Sequence, residues 1–148
     1  MIFNKKFLHA IEAVLDIAIY SYNSPTRATE ITKRQNIPSR YLEKILQELV
    51  RQRILKGTRG PNGGYTLGKE KRNIYLIDIY NSILIIEKNK NIDKIDTDIR
   101  SKVITPLVEE VSDKIVEFFK ATSIDDLYKK IKKVNIDINK GKKMDFTI

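Results

Sequence analysis

Arg59-Gly60-Pro61-Asn62-Gly63-Gly64-Tyr65 is the stretch on which the fold of this chain turns. Gly60, Gly63 and Gly64 supply the backbone freedom of a tight hairpin. Ile54 and Leu55 before the turn, and Tyr65 and Leu67 after it, pattern as its two short strands. The tip carries Arg59, with Lys56 behind it, so a cation projects where a duplex groove or a phosphate can meet it. A phosphate-cradling loop is the competing reading of these glycines. They precede a strand instead of opening a helix, however, which is the wrong polarity for dipole-assisted anion binding.

Working back from the hairpin, residues 39–53 read as a basic amphipathic helix capped by Ser39. Tyr41, Leu42, Ile45, Leu46, Leu49 and Val50 face inward, and Arg40, Glu43, Lys44, Gln47, Arg51 and Arg53 face solvent. Ile37-Pro38 is the turn before it. A short helix with Ala28, Ile31 and Ile37 on its apolar side precedes that turn, with Thr26 as its N-cap and its end near Asn36. From Lys6 to Tyr22 a first helix carries Phe7, Ile11, Val14, Leu15, Ala18, Ile19 and Tyr22 at helical spacing, with Glu12 and Asp16 turned outward. Helix, helix, tight turn, basic helix, hairpin is the order of a winged helix-turn-helix, whose recognition helix enters a major groove roughly 12 Å wide. Arg40 then reaches guanine or a phosphate, Glu43 accepts from a cytosine amino group, and Lys44 and Gln47 read or position alongside. Against this stands the plain reading that these are solvated surface residues; the adjoining hairpin favours the groove.

Composition agrees with a nucleic-acid partner. The 148 residues carry a formal net charge of +9. Met1 to Tyr75 holds fourteen Lys/Arg against six Asp/Glu, hence +8, and the remainder contributes only +1. Such a concentrated positive face attracts nucleic acid or an anionic membrane surface. No apolar run approaches the roughly 18 residues of a bilayer span, and no signal pattern opens the chain, so no membrane role and a cytoplasmic location are expected. Cysteine is absent, which removes disulfides, thiolate nucleophiles and the usual zinc and iron–sulfur ligands. One histidine, His9, gives no Ser-His-acid set and no plausible metal site, and an enzyme is not expected. Asp93, Asp96 and Asp98, interleaved with Lys94, read as a solvated loop rather than a cation site.

The second half suggests a homodimer. Thr105-Pro106 reads as a cap and first-turn proline, followed by Leu107, Val108, Val111, Ile115, Phe118 and Phe119 at helical spacing. A start nearer Asp98, with Pro106 as a kink, is the alternative. This stripe exceeds one domain's needs and is expected to bury itself against a second copy. Ser123 caps a last short helix whose lysines form a solvated face, and residues 142–148 alternate as a small strand or a disordered tail. The organisation expected is residues 1–86 as winged helix-turn-helix, 87–104 as linker loop, and 105–148 as dimerisation helix with a C-terminal helix and tail. The fold class is mainly α with a small β-hairpin wing.

Ala13 to Ala18, Ile31 to Ile37, Tyr41-Leu42-Glu43 and above all Arg59 to Gly68 resemble the Rrf2 family of winged helix-turn-helix regulators. Val111-Ser112-Asp113-Lys114 and Thr122 to Leu127 are similar to that family's dimerisation helix and the cap after it, so the likeness spans nearly the whole chain. The resemblance implies a homodimeric transcriptional regulator, a repressor, on a palindromic operator. Recognition helices enter successive major grooves, Arg59 reaches the flanking minor groove, and Glu43 matches a base-reading glutamate. Residues expected at the duplex are Thr26, Ser39, Arg40, Tyr41, Glu43, Lys44, Gln47, Arg51, Lys56, Arg59 and the turn Gly60-Pro61-Asn62-Gly63. Arg40 and Lys44 depart from the smaller or neutral residues of familiar members, so the operator need not be theirs. Many members hold an iron–sulfur cluster on three cysteines in the loop before the dimerisation helix. Here residues 87–97 contain none, and Thr105 stands about where some members place a ligating histidine, so no cofactor is expected. A small-molecule or protein effector is left open, and a winged-helix module for protein or RNA is the alternative function.

Overall fold

Asn4 starts the first helix: its side-chain oxygen accepts the Phe7 N–H at 2.9 Å, and α1 runs Lys5–Tyr20. The structure, a computed structural model, describes residues 3–87, 96–134 and 136–138. Asp16, expected on the outer face of α1, is instead buried. Its carboxylate accepts from Arg34 Nε at 2.9 Å and Nη2 at 2.8 Å and from Gln35 Nε2 at 2.8 Å, which clamps α2 (Ala28–Gln35) onto α1. Arg34 also lies over the Tyr20 ring at 4.0 Å. A buried carboxylate survives only with such complete pairing.

Asn36, at φ 53°, ends α2 in the left-handed conformation that asparagine tolerates, and Ile37-Pro38 turns the chain into α3 (Ser39–Arg51). Neither expected cap is formed. Arg27 holds the N-cap position of α2, its N–H donating to Glu30 at 3.3 Å, because Thr26 is drawn into a β-bridge. Pro38 precedes α3, and no side chain caps it. The hairpin follows as expected, β1 (Leu55–Thr58) antiparallel to β2 (Gly64–Leu67), with Leu55 opposite Leu67 and Thr58 opposite Gly64. A 3₁₀ turn at Lys71–Asn73 leads to α4 (Leu76–Glu87).

Helix resumes at Asp98, where a linker loop was expected, and residues 88–95 lie outside the described residues. Over Arg100–Ile104 it widens into a π turn, the Thr105 N–H donating to the Arg100 carbonyl five residues back. The cause is Pro106: it has no N–H and its ring crowds the carbonyl four residues earlier, so the backbone opens just ahead of it. Thr105 is therefore mid-helix and not a cap, and the start nearer Asp98 is the one found. After α5 (Thr105–Ala121), Ser123 opens α6 (Ile124–Lys133) through a reciprocal cap, its hydroxyl accepting the Asp126 N–H at 3.1 Å. Residues 142–148, read as strand or tail, lie outside the described residues.

The core joins α1 (Phe7, Ala10, Ala13, Val14, Ile17) to α3 (Leu42, Ile45, Leu46, Leu49) and α4 (Ile79, Ile83). Phe119 corrects the expectation for the dimer stripe. It is 2% exposed and packs its ring 5.2 Å from Phe7 and 5.5 Å from Tyr80. Ile115 also leans on this core. A bridge between Tyr75 and Ser123 ties the start of α4 to the start of α6, so the C-terminal segment packs back onto the first helices.

Candidate nucleic-acid interface

The wing is held to the helices by main-chain bonds. Thr26 N–H donates to the Tyr65 carbonyl at 2.9 Å and Tyr65 N–H donates to the Thr26 carbonyl at 2.8 Å, so Thr26, two residues ahead of α2, forms an antiparallel bridge to the wing. Gly64 is required by this approach. Its φ is 151°, and a Cβ there would sit 2.7 Å from the Thr26 carbonyl oxygen. At the tip, Gly63 N–H donates to the Gly60 carbonyl at 2.9 Å across Pro61-Asn62, and Gly60 takes a φ of 106°. The Arg27 guanidinium donates to the Pro61 carbonyl, a second tie between α2 and the tip.

These ties leave an open groove of about 720 Å³ between α3 and the wing, lined by Arg27, Gln47, Val50, Thr58, Arg59 and Pro61 among others. Ser39, Arg40, Glu43, Lys44, Gln47 and Arg51 are exposed along α3, as are Lys56, Arg59, Gly60, Pro61 and Asn62 on the wing, with Gly63 half-buried. Arg51 is partly occupied, its guanidinium 3.1 Å from the buried Glu48 carboxylate. Tyr41, expected to face inward, is instead exposed on the far flank of α3, where a hydrogen bond from Arg40, then the charges of Arg40, Lys6 and Lys5, hold its phenol below the ordinary value. Thr26 departs from the expected set: it is 1% exposed, and its hydroxyl has no hydrogen-bond partner among the described residues. It positions the wing and presents nothing to solvent. Arg27 and Lys6, which the sequence reading passed over, have no local signature; Arg27 meets Pro61 across 34 residues of chain.

The first two-thirds of the long helix stands clear of the body. Val103, Leu107, Val108 and Val111 are each about half exposed or more, and Phe118 is 62% exposed. Together with Ile99 and Ile104 they form an apolar stripe at helical spacing, which a monomer rarely shows to water.

The residues do not fit an iron–sulfur cluster. There is no cysteine in the sequence, and among the described residues no three His, Asp or Glu side chains gather as metal ligands. His9 pairs with Glu12 on α1 at 3.1 Å. No helix among the described residues is long and apolar enough to cross a membrane.

The sequence profile of a family described as Rrf2, iron-dependent transcriptional regulator, matches residues 3–130. Among relatives, the regulator IscR of Xenorhabdus nematophila is 32% identical over 75 residues, 51% of this chain and 46% of that protein. The IscR of Pectobacterium atrosepticum is 27% identical over 86% of this chain and 79% of its own. The chain spans about half the length of the first curated relatives it matches, 46% and 43% of theirs. Among solved structures, T. potens IscR superposes with a TM-score of 0.70 at 25% identity, covering 90% of each chain. The cysteine regulator CymR of B. subtilis gives 0.65 at 24% identity over 85% of this chain and 95% of its own, which speaks to the fold. These relatives are transcriptional regulators, not enzymes. With the winged fold and the matched profile agreeing over nearly nine-tenths of its length, the chain belongs to the Rrf2 family of DNA-binding transcriptional regulators.

Proposed function

We propose that this chain binds palindromic double-stranded DNA as a homodimer and represses transcription, without an iron–sulfur cluster. The observation that carries the reading is that the exposed polar face of α3 and the cationic wing tip border one groove, with Arg27 and Arg59 beside it and Gln47 at its wall. An α-helix with its side chains is roughly 10–12 Å across and fills a major groove of about 12 Å, which leaves the wing to follow the adjacent backbone. Glu43 is the one acidic side chain on the exposed face of α3, and an acid there suits a cytosine amino group while repelling phosphate. The apolar stripe of α5 supports self-association, because a second copy related by a two-fold axis would cover the same residues on both sides. Repression is the simplest consequence of a dimer occupying about two turns of a duplex. The missing cysteines separate this chain from cluster-dependent relatives.

Selection of bound sites from random duplex DNA tests the reading, followed by titration of the selected site. A palindrome, with affinity falling about three to five decades between 50 and 200 mM salt for roughly six to ten neutralised phosphates, is the expected result. Glu43→Ala broadens base choice at one position per half-site; an equal loss on all sequences refutes the base-reading role.

A further inference from the structure

The flank of α3 turned away from the wing carries a second basic feature. Lys6 of α1 and Arg40, Tyr41 and Lys44 of α3 line a notch of about 230 Å³ beside Ile45 and Ile86, and among the described residues no acidic side chain lines it. The backbone that carries Lys6 is anchored just ahead of it. Asn4 caps α1 through its Oδ1, and its Nδ2 donates to Glu87 Oε2 at 2.8 Å, which fastens the start of α1 to the end of α4 and occupies the neighbouring carboxylate. The Arg40 guanidinium lies 5.4 Å from the Tyr41 ring centroid. Three cations and a phenol thus converge on a space that no described acidic side chain lines.

We propose that this notch seats one backbone phosphate of the bound duplex, on the strand opposite the one that the wing follows. Lys6 and Lys44 supply charge, and the Tyr41 hydroxyl donates a neutral hydrogen bond. The proposal rests on the duplex-binding reading and adds to it a fixed point from α1. Its geometry follows from the helix: a helix in the major groove has a phosphate wall along each flank. At about 100° per residue, Gln47 and Val50 fall on the flank bordering the wing groove, and Tyr41 and Ile45 fall on the other. Wing and notch therefore address the two walls separately, and α3 is fixed in depth and tilt by contacts that carry no base information. The depressed phenol accords with a surplus of positive charge around Tyr41.

The test uses the full chain and the selected duplex. Wild type, Lys6→Ala, Lys6→Arg and Tyr41→Phe are titrated across salt, and phosphate-ethylation interference is mapped for wild type and Lys6→Ala. Each neutralised phosphate contributes about 0.9 to the slope of log affinity against log salt, so Lys6→Ala lowers the slope by roughly 1.8 per dimer with base preference unchanged. Lys6→Arg retains the wild-type slope. Tyr41→Phe weakens binding severalfold at an unchanged slope, because the lost donor is neutral. Ethylation at one phosphate per half-site, opposite the wing side, blocks the wild type and is tolerated by Lys6→Ala. A wild-type slope for Lys6→Ala, or an interference pattern confined to the wing side, overturns the seat and leaves duplex binding intact. A wild type that holds no duplex at any salt overturns both.

Discussion

Gly64→Ala probes the joint on which the wing's position depends. A residue with a Cβ at φ 151° is strained by about 1–2 kcal/mol, and the loss of glycine's unfolded-state freedom returns about half to one of those. The contact then adds to the cost. The new methyl sits 2.7 Å from the Thr26 carbonyl oxygen and 2.8 Å from its carbon, both backbone atoms, so the bridge itself must part. Two main-chain hydrogen bonds at about 1 kcal/mol each go with it, for a total near 3 kcal/mol. Gly60→Ala is the control. Its φ of 106° carries the conformational strain, but nothing lies within 4 Å of its Cβ, so about 1 kcal/mol is expected. In a chain of this length those losses lower the melting temperature by roughly 6–12 °C and 2–4 °C respectively, read by urea and thermal unfolding. Duplex affinity of Gly64→Ala should fall about tenfold beyond that of Gly60→Ala, since the freed wing must be re-ordered on binding. Equal destabilisation by the two substitutions would refute the claim that proximity to Thr26 is what demands glycine at 64.

Three further outcomes follow from other parts of the molecule. Phe119→Ala removes a ring from the aromatic core and should cost about 3–5 kcal/mol at every protein concentration, whereas Phe118→Ala should chiefly raise the dimer dissociation constant in sedimentation; reversed effects would exchange their assignments. Asp16→Ala strands Arg34 and Gln35 and should destabilise by about 3 kcal/mol in urea titration, while a loss below about 1 kcal/mol would mean that the clamp is not structural. The Asp126 carboxylate is held below its ordinary 3.8, first by the Ser123 N–H, so its contribution is present above that value and is lost as pH falls through the depressed one. Asp126→Ala should therefore differ from wild type in thermal melts at neutral pH and converge with it in strong acid. A gap that does not narrow as the pH falls contradicts this.

Local pattern was enough for much of this protein. The spacing of Leu42, Ile45, Leu46 and Leu49 fixes the buried side of α3, the glycines and proline of 60–64 specify a tight turn, and the lack of cysteine rules out thiolate ligands; each depends only on residues near in sequence or on composition. Asp16 misled because periodicity sees polarity, and its partner Arg34 lies eighteen residues away on another helix. Thr26 misled in the same manner: a threonine before a helix is an ordinary cap, yet here its backbone is taken by Tyr65, thirty-nine positions on. Phe118 and Phe119 are adjacent and chemically identical, so no pattern of their own divides them; the packing of α5 against Phe7 and Tyr80 sends one ring into the core and leaves the other in water. What the chain assembles from contacts distant in sequence, including the wing's tie to α2 and the place of Lys6 beside Tyr41, was decided by tertiary structure alone, because those partners are chosen by close packing rather than by period.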